Sequence, residues 1–128
     1  MSLSDKQWMF LQNIAKLIQY AESIGIKLTA GEAYRTQDQQ ILYYYGKRLE
    51  VRNHSPEIVD GKKRSWTMYS QHRRRLAMDF NFFVDGELTY DYEKIKPLGE
   101  YWESLHPDNR WGGNFKAVKD TPHFEMKG

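Results

Sequence analysis

The chain has 128 residues, with 19 Lys and Arg against 17 Asp and Glu, four His and no Cys. The length suits one core of ordinary domain size, and the missing Cys excludes a disulfide scaffold, thiolate zinc fingers, iron–sulfur clusters and a thiol nucleophile. Any metal chemistry must therefore rest on His, Asp and Glu, the near-neutral charge argues against a dedicated nucleic-acid binder, and no apolar stretch approaches the roughly 20 residues of a membrane span.

Met1-Ser2-Leu3-Ser4-Asp5-Lys6 lacks a signal-peptide apolar region, so synthesis in the cytoplasm is expected. Ser4 and Gln7 have capping-box spacing. Trp8, Leu11, Ile14, Ala15, Ile18 and Ala21 recur at three- and four-residue steps, which predicts a helix from about Ser4 to Ile24 with Gly25 after it. Ile26 to Ala33 reads as a short strand or extended segment. Thr36 and Gln39 open a second helix that runs to about Tyr45 and stops at Gly46. At least one ring of Tyr43-Tyr44-Tyr45 is expected in the core. Residues 47–68 are polar and read as a long irregular loop, a length usually functional or mobile.

From Leu76 to Val84 the pattern alternates. Leu76, Met78, Phe80, Phe82 and Val84 share one face; Ala77, Asp79, Asn81 and Phe83 share the other. Asp85-Gly86 is a hairpin-type turn. A third helix is expected over about Lys96 to Leu105, with Pro97 in its first turn. Trp111-Gly112-Gly113 marks a tight turn or a close backbone approach, and Pro122 to Met126 reads as a terminal strand. The elements mix without a βαβ rhythm, so the fold class is α+β, in one domain spanning 1–128.

His72, Asp79 and His123 stand out as a candidate zinc set. Imidazole and carboxylate are the usual non-thiolate ligands, and three of them leave one position open for catalysis. Asp79 interrupts an otherwise apolar strand, where a carboxylate is costly without a cation. The odd offset from His72 to Asp79 would put them on opposite faces of one strand. His72 must therefore lie on a bend before the strand, turned back toward Asp79. Asp120, three residues before His123, brings a second carboxylate close. A carboxylate there can take a proton from water and deliver it to a leaving amine. Glu125 shares a strand face with His123 and either orients that imidazole or faces solvent. His54 and His106 match no motif and are assigned to surface or packing.

Ser70-Gln71-His72-Arg73-Arg74-Arg75-Leu76-Ala77-Met78-Asp79 resembles the first zinc motif of the M15 peptidases, the group of zinc D-alanyl-D-alanine carboxypeptidases and dipeptidases and L-alanyl-D-glutamate endopeptidases. Asp120-Thr121-Pro122-His123-Phe124-Glu125 resembles their second motif. Ala33-Tyr34-Arg35-Thr36 with Gln40 resembles their substrate-binding segment, and Trp111-Gly112-Gly113-Asn114-Phe115 their Trp-Gly-Gly turn. The order holds across residues 33–125.

The resemblance implies a hedgehog/DD-peptidase-like fold, a small antiparallel sheet flanked by helices. It implies one Zn2+ held by His72, Asp79 and His123, Asp120 as general base, and Arg35 polarising the scissile carbonyl. Tyr34, Gln40, Ser70 and Trp111 join Arg35 as substrate-binding residues, although Trp111 fits a core place equally well. The implied reaction is hydrolysis of peptidoglycan stem peptides. Many members carry Gly at the place of Arg75, so a positive φ there would strain this chain. Asp120 in place of the frequent Glu points away from the dipeptidases and toward the L-alanyl-D-glutamate endopeptidases. The compact chain without a wall-binding module is similar to short phage-type lytic enzymes, which implies a monomeric endolysin of phage or prophage origin that reaches the wall by release or phage delivery.

Three alternatives stand beside this reading. One is a D-Ala-D-Ala carboxypeptidase; another is a non-catalytic virion protein that keeps the fold. The third is a nucleic-acid binder using Lys62-Lys63-Arg64, Arg73-Arg74-Arg75 and the interleaved Trp66 and Tyr69. The basic runs are read instead as surfaces that attract an anionic wall polymer or stem-peptide carboxylates.

Overall fold

The computed structural model describes all residues, Met1–Gly128. Helix α1 covers Leu3–Ser23, α2 covers Gln37–Tyr45 and α3 covers Tyr92–Leu105. The strands are β1 Ile26–Ala30, β2 Lys47–Arg52, β3 Ser55–Asp60, β4 Ala77–Val84, β5 Glu87–Thr89, β6 Asn109–Trp111 and β7 His123–Met126. Five strands form an antiparallel sheet ordered β1-β4-β7-β6, with β5 also paired to β4. The expected α+β class, three helices with a small antiparallel sheet, is what the chain adopts.

The sheet exists because β4 serves three neighbours, β1, β5 and β7. Its outer half, Phe80–Val84, pairs with β1, while Ala77–Asp79 pairs with β7. Asp79 stands directly opposite His123 in that second ladder. Helices α1 and α3 close one face of the sheet. Phe10, Ile14, Leu17 and Ala21 of α1 meet Ile95, Leu98 and Trp102 of α3 and Phe80, Phe82, Phe124 and Met126 of the sheet. Each fully buried large apolar side chain contributes about 1.5–3 kcal/mol. Phe10 sits edge-on to Trp102 at 5.6 Å, and Tyr20 stacks on Tyr101 at 4.1 Å.

Several local expectations are corrected. Ser2 with Asp5, and not Ser4 with Gln7, forms the capping box of α1. The buried stripe of α1 runs Phe10, Asn13, Ile14, Leu17, Ala21; Trp8, Leu11 and Ile18 are exposed. Phe10 and Leu17 win the core because they face Trp102 and the sheet, and the spaced set of smaller steps lies partly on the outer face. Residues 47–60 are not an irregular loop. They form the β2–β3 hairpin, turned by Asn53 and His54, both with positive φ, the geometry of a primed two-residue turn. Helix α3 begins at Tyr92, capped by the Asp91 side chain on Lys94 N at 3.3 Å, so Pro97 lies inside the helix and not in its first turn. No ring of Tyr43-Tyr44-Tyr45 reaches the core: Gln40 is the buried residue of α2.

Two backbone positions shape the site. A Cβ on Gly112 would lie 2.2 Å from the Asp120 carbonyl oxygen and 2.9 Å from His123 Cβ, so only Gly permits that approach. Arg75 takes the left-handed conformation, φ 59°, that ends the short 3-10 turn Gln71–Arg74. That turn is the bend that the spacing of His72 and Asp79 requires. No helix is long and apolar enough to cross a membrane.

Candidate active site

The 3-10 turn carries His72, β4 carries Asp79 and β7 carries His123. Their donor atoms form a nearly equilateral triangle. His72 Nε2 is 3.3 Å from Asp79 Oδ1, His123 Nδ1 is 3.1 Å from the same oxygen, and the two ring nitrogens are 3.2 Å apart. Bonds of about 2.0–2.1 Å to a tetrahedral zinc give ligand–ligand edges of about 3.3–3.4 Å. The triangle therefore matches one face of that tetrahedron, and the chemistry of the donor set fits zinc.

The tautomers are set from outside the triangle. His72 Nδ1 donates to the Ala33 carbonyl at 2.7 Å, which leaves Nε2 its lone pair. His123 Nε2 bonds Glu125 Oε1 at 2.7 Å, which turns Nδ1 inward. Glu125 is held in turn by Arg110 Nε at 2.9 Å on its other oxygen, across the β6–β7 ladder. Phe115 packs 5.7 Å from the His123 ring. Burial alone would lower the pKa of His123, but hydrogen bonds to Asp79 and Glu125 prevail and push it up to about 9. Burial would raise Asp79, and the two imidazoles instead hold it well below the usual carboxylate range. A metal ion held by the three donors would replace the proton on His123 Nδ1.

Arg35 lies beside this triangle. Its backbone N–H donates to the His72 carbonyl at 3.2 Å. Its Nε donates to Glu32 Oε1 at 2.6 Å, Nη2 pairs with the same carboxylate, and Nη1 donates to Gln40 Oε1 at 2.8 Å with Ser70 Oγ at 3.4 Å. The guanidinium also covers the Tyr43 ring at 4.8 Å. It is only 8% exposed, yet lines the cleft. With five N–H groups and these partners, one N–H of Nη2 is left unpartnered. Asp120 lines the same cleft; the residue as a whole is exposed, but partial burial of its carboxyl pushes its pKa up. Its backbone is pinned by Asp120 N to Gly112 O at 2.8 Å and His123 N to Asp120 O at 3.1 Å.

A family model described as D-alanyl-D-alanine carboxypeptidase, within the M15 peptidases, matches residues 63–126, half of the chain. The chain belongs to the M15 peptidase family. Among solved structures, the L-Ala D-Glu endopeptidase ChiX of Serratia marcescens matches with a TM-score of 0.65 at 18% identity, over 92% of this chain and 77% of that one. A mutant of the vancomycin-resistance D,D-pentapeptidase VanY from a VanB-type resistance cassette, in complex with Zn(II), matches with a TM-score of 0.53 at 15% identity, over 93% and 71%. At these identities the likeness is one of fold. None of the curated proteins matches the chain in sequence.

In this M15 chain the triangle, Arg35, Ser70 and Asp120 all line one cleft of about 890 Å³. Three expected substrate contacts lie elsewhere. Trp111 is 0% exposed: it stacks on Tyr92 at 5.2 Å and donates Nε1–H to the Thr121 carbonyl at 2.8 Å, so it is core and supports the Asp120 segment from below. Gln40 is also fully buried, and its role is to hold Arg35. Tyr34 is outside the cleft lining, under the Arg75 guanidinium at 4.2 Å. Sequence reasoning missed Glu32 and Arg110. Both are ordinary surface-type charges in the sequence. Glu32 stands three residues before Arg35, the one local cue; nothing local links Arg110 to Glu125, because β-pairing joins them.

Proposed function

We propose that the M15 chain is a zinc-dependent endopeptidase that hydrolyses the L-alanyl-D-glutamate amide of peptidoglycan stem peptides, as a monomeric endolysin of phage or prophage origin that acts on the cell wall. The observation that carries this reading is the donor triangle, 3.1–3.3 Å on each edge, opening into the same cleft as Asp120 and Arg35. In this proposal residues 1–128 form one catalytic domain.

His72 Nε2, Asp79 Oδ1 and His123 Nδ1 would hold one zinc ion. When bound, zinc supplies Lewis acidity that polarises a carbonyl and lowers the pKa of water. Asp120 accepts a proton from the attacking water and returns it to the leaving amine. Its raised pKa makes the carboxylate a stronger acceptor for the proton of the attacking water. Arg35 donates its remaining N–H toward the carbonyl oxygen as charge builds there. Because Glu32, Gln40 and Tyr43 hold the guanidinium in place, little reorganisation is needed. Glu32 and Glu125 are engaged by Arg35 and Arg110, which leaves Asp120 as the cleft carboxylate without a cationic partner.

The test is mass spectrometry of defined muropeptides incubated with the zinc-loaded protein and with the protein after chelation. Release of the stem from L-Ala, lost on chelation and restored by zinc, is the expected result. Loss of one terminal D-Ala would establish the carboxypeptidase reading instead, which the description of the matching family model favours. Zinc-loaded protein that leaves every muropeptide intact would support the non-catalytic virion reading.

A further inference from the structure

Two of the four basic residues that line the cleft are matched within the chain: Arg35 by Glu32, and Arg110 by Glu125. Arg64 and Lys116 line the same cleft without a carboxylate in salt-bridge range. Arg64 is the better placed of the two. Its backbone N–H donates to the Tyr43 carbonyl at 3.0 Å, and its guanidinium lies 5.8 Å from the Tyr43 ring centroid. The same ring lies 4.8 Å from the Arg35 guanidinium. One tyrosine thus carries both arginines, and Tyr43 is itself fixed by its hydroxyl on Glu32 Oε2 at 3.1 Å.

The rest of the basic run is accounted for differently. Lys63 turns away: its Nζ donates to the Tyr44 carbonyl at 2.6 Å and sits over the rings of Tyr44 and Trp66. Lys62 does not line the cleft. So the run Lys62-Lys63-Arg64 presents one free guanidinium to the site, and a planar fork of that kind is suited to a carboxylate.

We propose that Arg64 is a specificity residue that binds the α-carboxylate of the residue following the scissile amide, the D-glutamate of the stem. This rests on the function proposed above. The two centroid distances bound the separation of the guanidiniums to about the span of three extended residues at most, at about 3.5 Å each. Any separation within that bound, with a guanidinium-to-oxygen contact at each end, is within reach of a carbonyl oxygen on Arg35 and a carboxylate on the adjoining residue at Arg64. Hydrolysis therefore prefers stems with a free α-carboxylate over stems amidated there.

Calorimetric binding of a cleavage product tests this without turnover. The probes are a γ-D-glutamyl tripeptide with a free α-carboxylate and the same peptide as its α-amide, each titrated into the zinc-loaded full chain and into Arg64→Ala. Wild type is expected to bind the carboxylate peptide about 10- to 100-fold more tightly than the amide. Arg64→Ala binds both with the weaker affinity, and Arg64→Lys recovers part of the difference. The proposal is overturned if wild type binds the two peptides alike or binds neither, or if Arg64→Ala keeps the discrimination. Muropeptide cleavage is a separate readout, so its absence would count against the proposed function, whereas equal binding of the two peptides by wild type would count against the role of Arg64. Because the Arg64 side chain is exposed, unchanged melting temperatures are expected for both variants.

Discussion

Glu125 holds His123 from behind: its Oε1 lies 2.7 Å from His123 Nε2, while Arg110 anchors the other oxygen. Such a partner fixes both the ring orientation and the tautomer of a ligating histidine. Glu125→Ala is expected to weaken zinc binding by about 10- to 100-fold, read by competition with a chromophoric chelator. Arg110→Ala leaves Glu125 in place and should cost less. An unchanged zinc affinity in Glu125→Ala would show that the strand alone orients the imidazole.

Asp120 and His123 separate in the same assay. His123→Ala removes one corner of the triangle and should abolish zinc binding and hydrolysis together. Asp120→Ala removes a cleft carboxylate that touches no corner by side chain, so zinc binding persists while kcat falls by a factor on the order of 10²–10⁴. Full activity in Asp120→Ala would exclude it as the base.

The convergence of His72, Asp79 and His123 was readable in the sequence because they sit in short local patterns, a bend before a strand and a proline-led final strand. Parity along β7 also placed Glu125 on the His123 side, although not its bond. What escaped was set by tertiary contacts. Trp111 carries no sign that α3 will approach it through Gly99, where a Cβ would meet the indole at 2.1 Å. The β2–β3 hairpin escaped because its apolar residues Leu49, Val51 and Ile58 remain exposed and mark no core face. In α1, an apolar residue such as Trp8 matches the helical period as well as Phe10 does, and only the position of Trp102 decides between them.

Gly112 is the backbone position on which Asp120 depends. Gly112→Ala would push a methyl group to 2.2 Å from the Asp120 carbonyl oxygen and 2.9 Å from His123 Cβ. Both neighbours are held by hydrogen bonds or strand pairing, so the clash cannot relax cheaply. A destabilisation of about 1–3 kcal/mol is expected, with a lower melting temperature and weakened zinc binding. A variant that melts and binds zinc like wild type would mean that the Asp120 segment is free to move.

Arg75 holds a left-handed conformation that costs an L-residue roughly 1–2 kcal/mol. Arg75→Gly and Arg75→Ala both lose the contact over Tyr34, but only Gly relieves the backbone. Arg75→Gly should therefore be more stable than Arg75→Ala by about 1 kcal/mol in urea denaturation. Equal stability would remove strain as the reason that glycine suits this bend.

Without metal, the site makes stability depend on pH in a direction that follows from His123. Its folded pKa of about 9 lies above the ordinary 6.5 because Asp79 and Glu125 outweigh burial. The folded state therefore binds the proton more tightly than the unfolded state does. The resulting stabilisation is fully present below about pH 6.5 and is lost as pH rises through 9. The lowered pKa of Asp79 acts at the other end, where its contribution is lost as pH falls below about 4. Chelated protein should show a melting temperature that declines between pH 7 and 9.5. Zinc loading should flatten that decline, because the metal displaces the His123 proton, and calorimetry in buffers of different ionisation enthalpy should register about one proton released per zinc at pH 7.5. A chelated protein with constant melting temperature over this range, or zinc binding without proton release, would show that His123 is already neutral in the empty site.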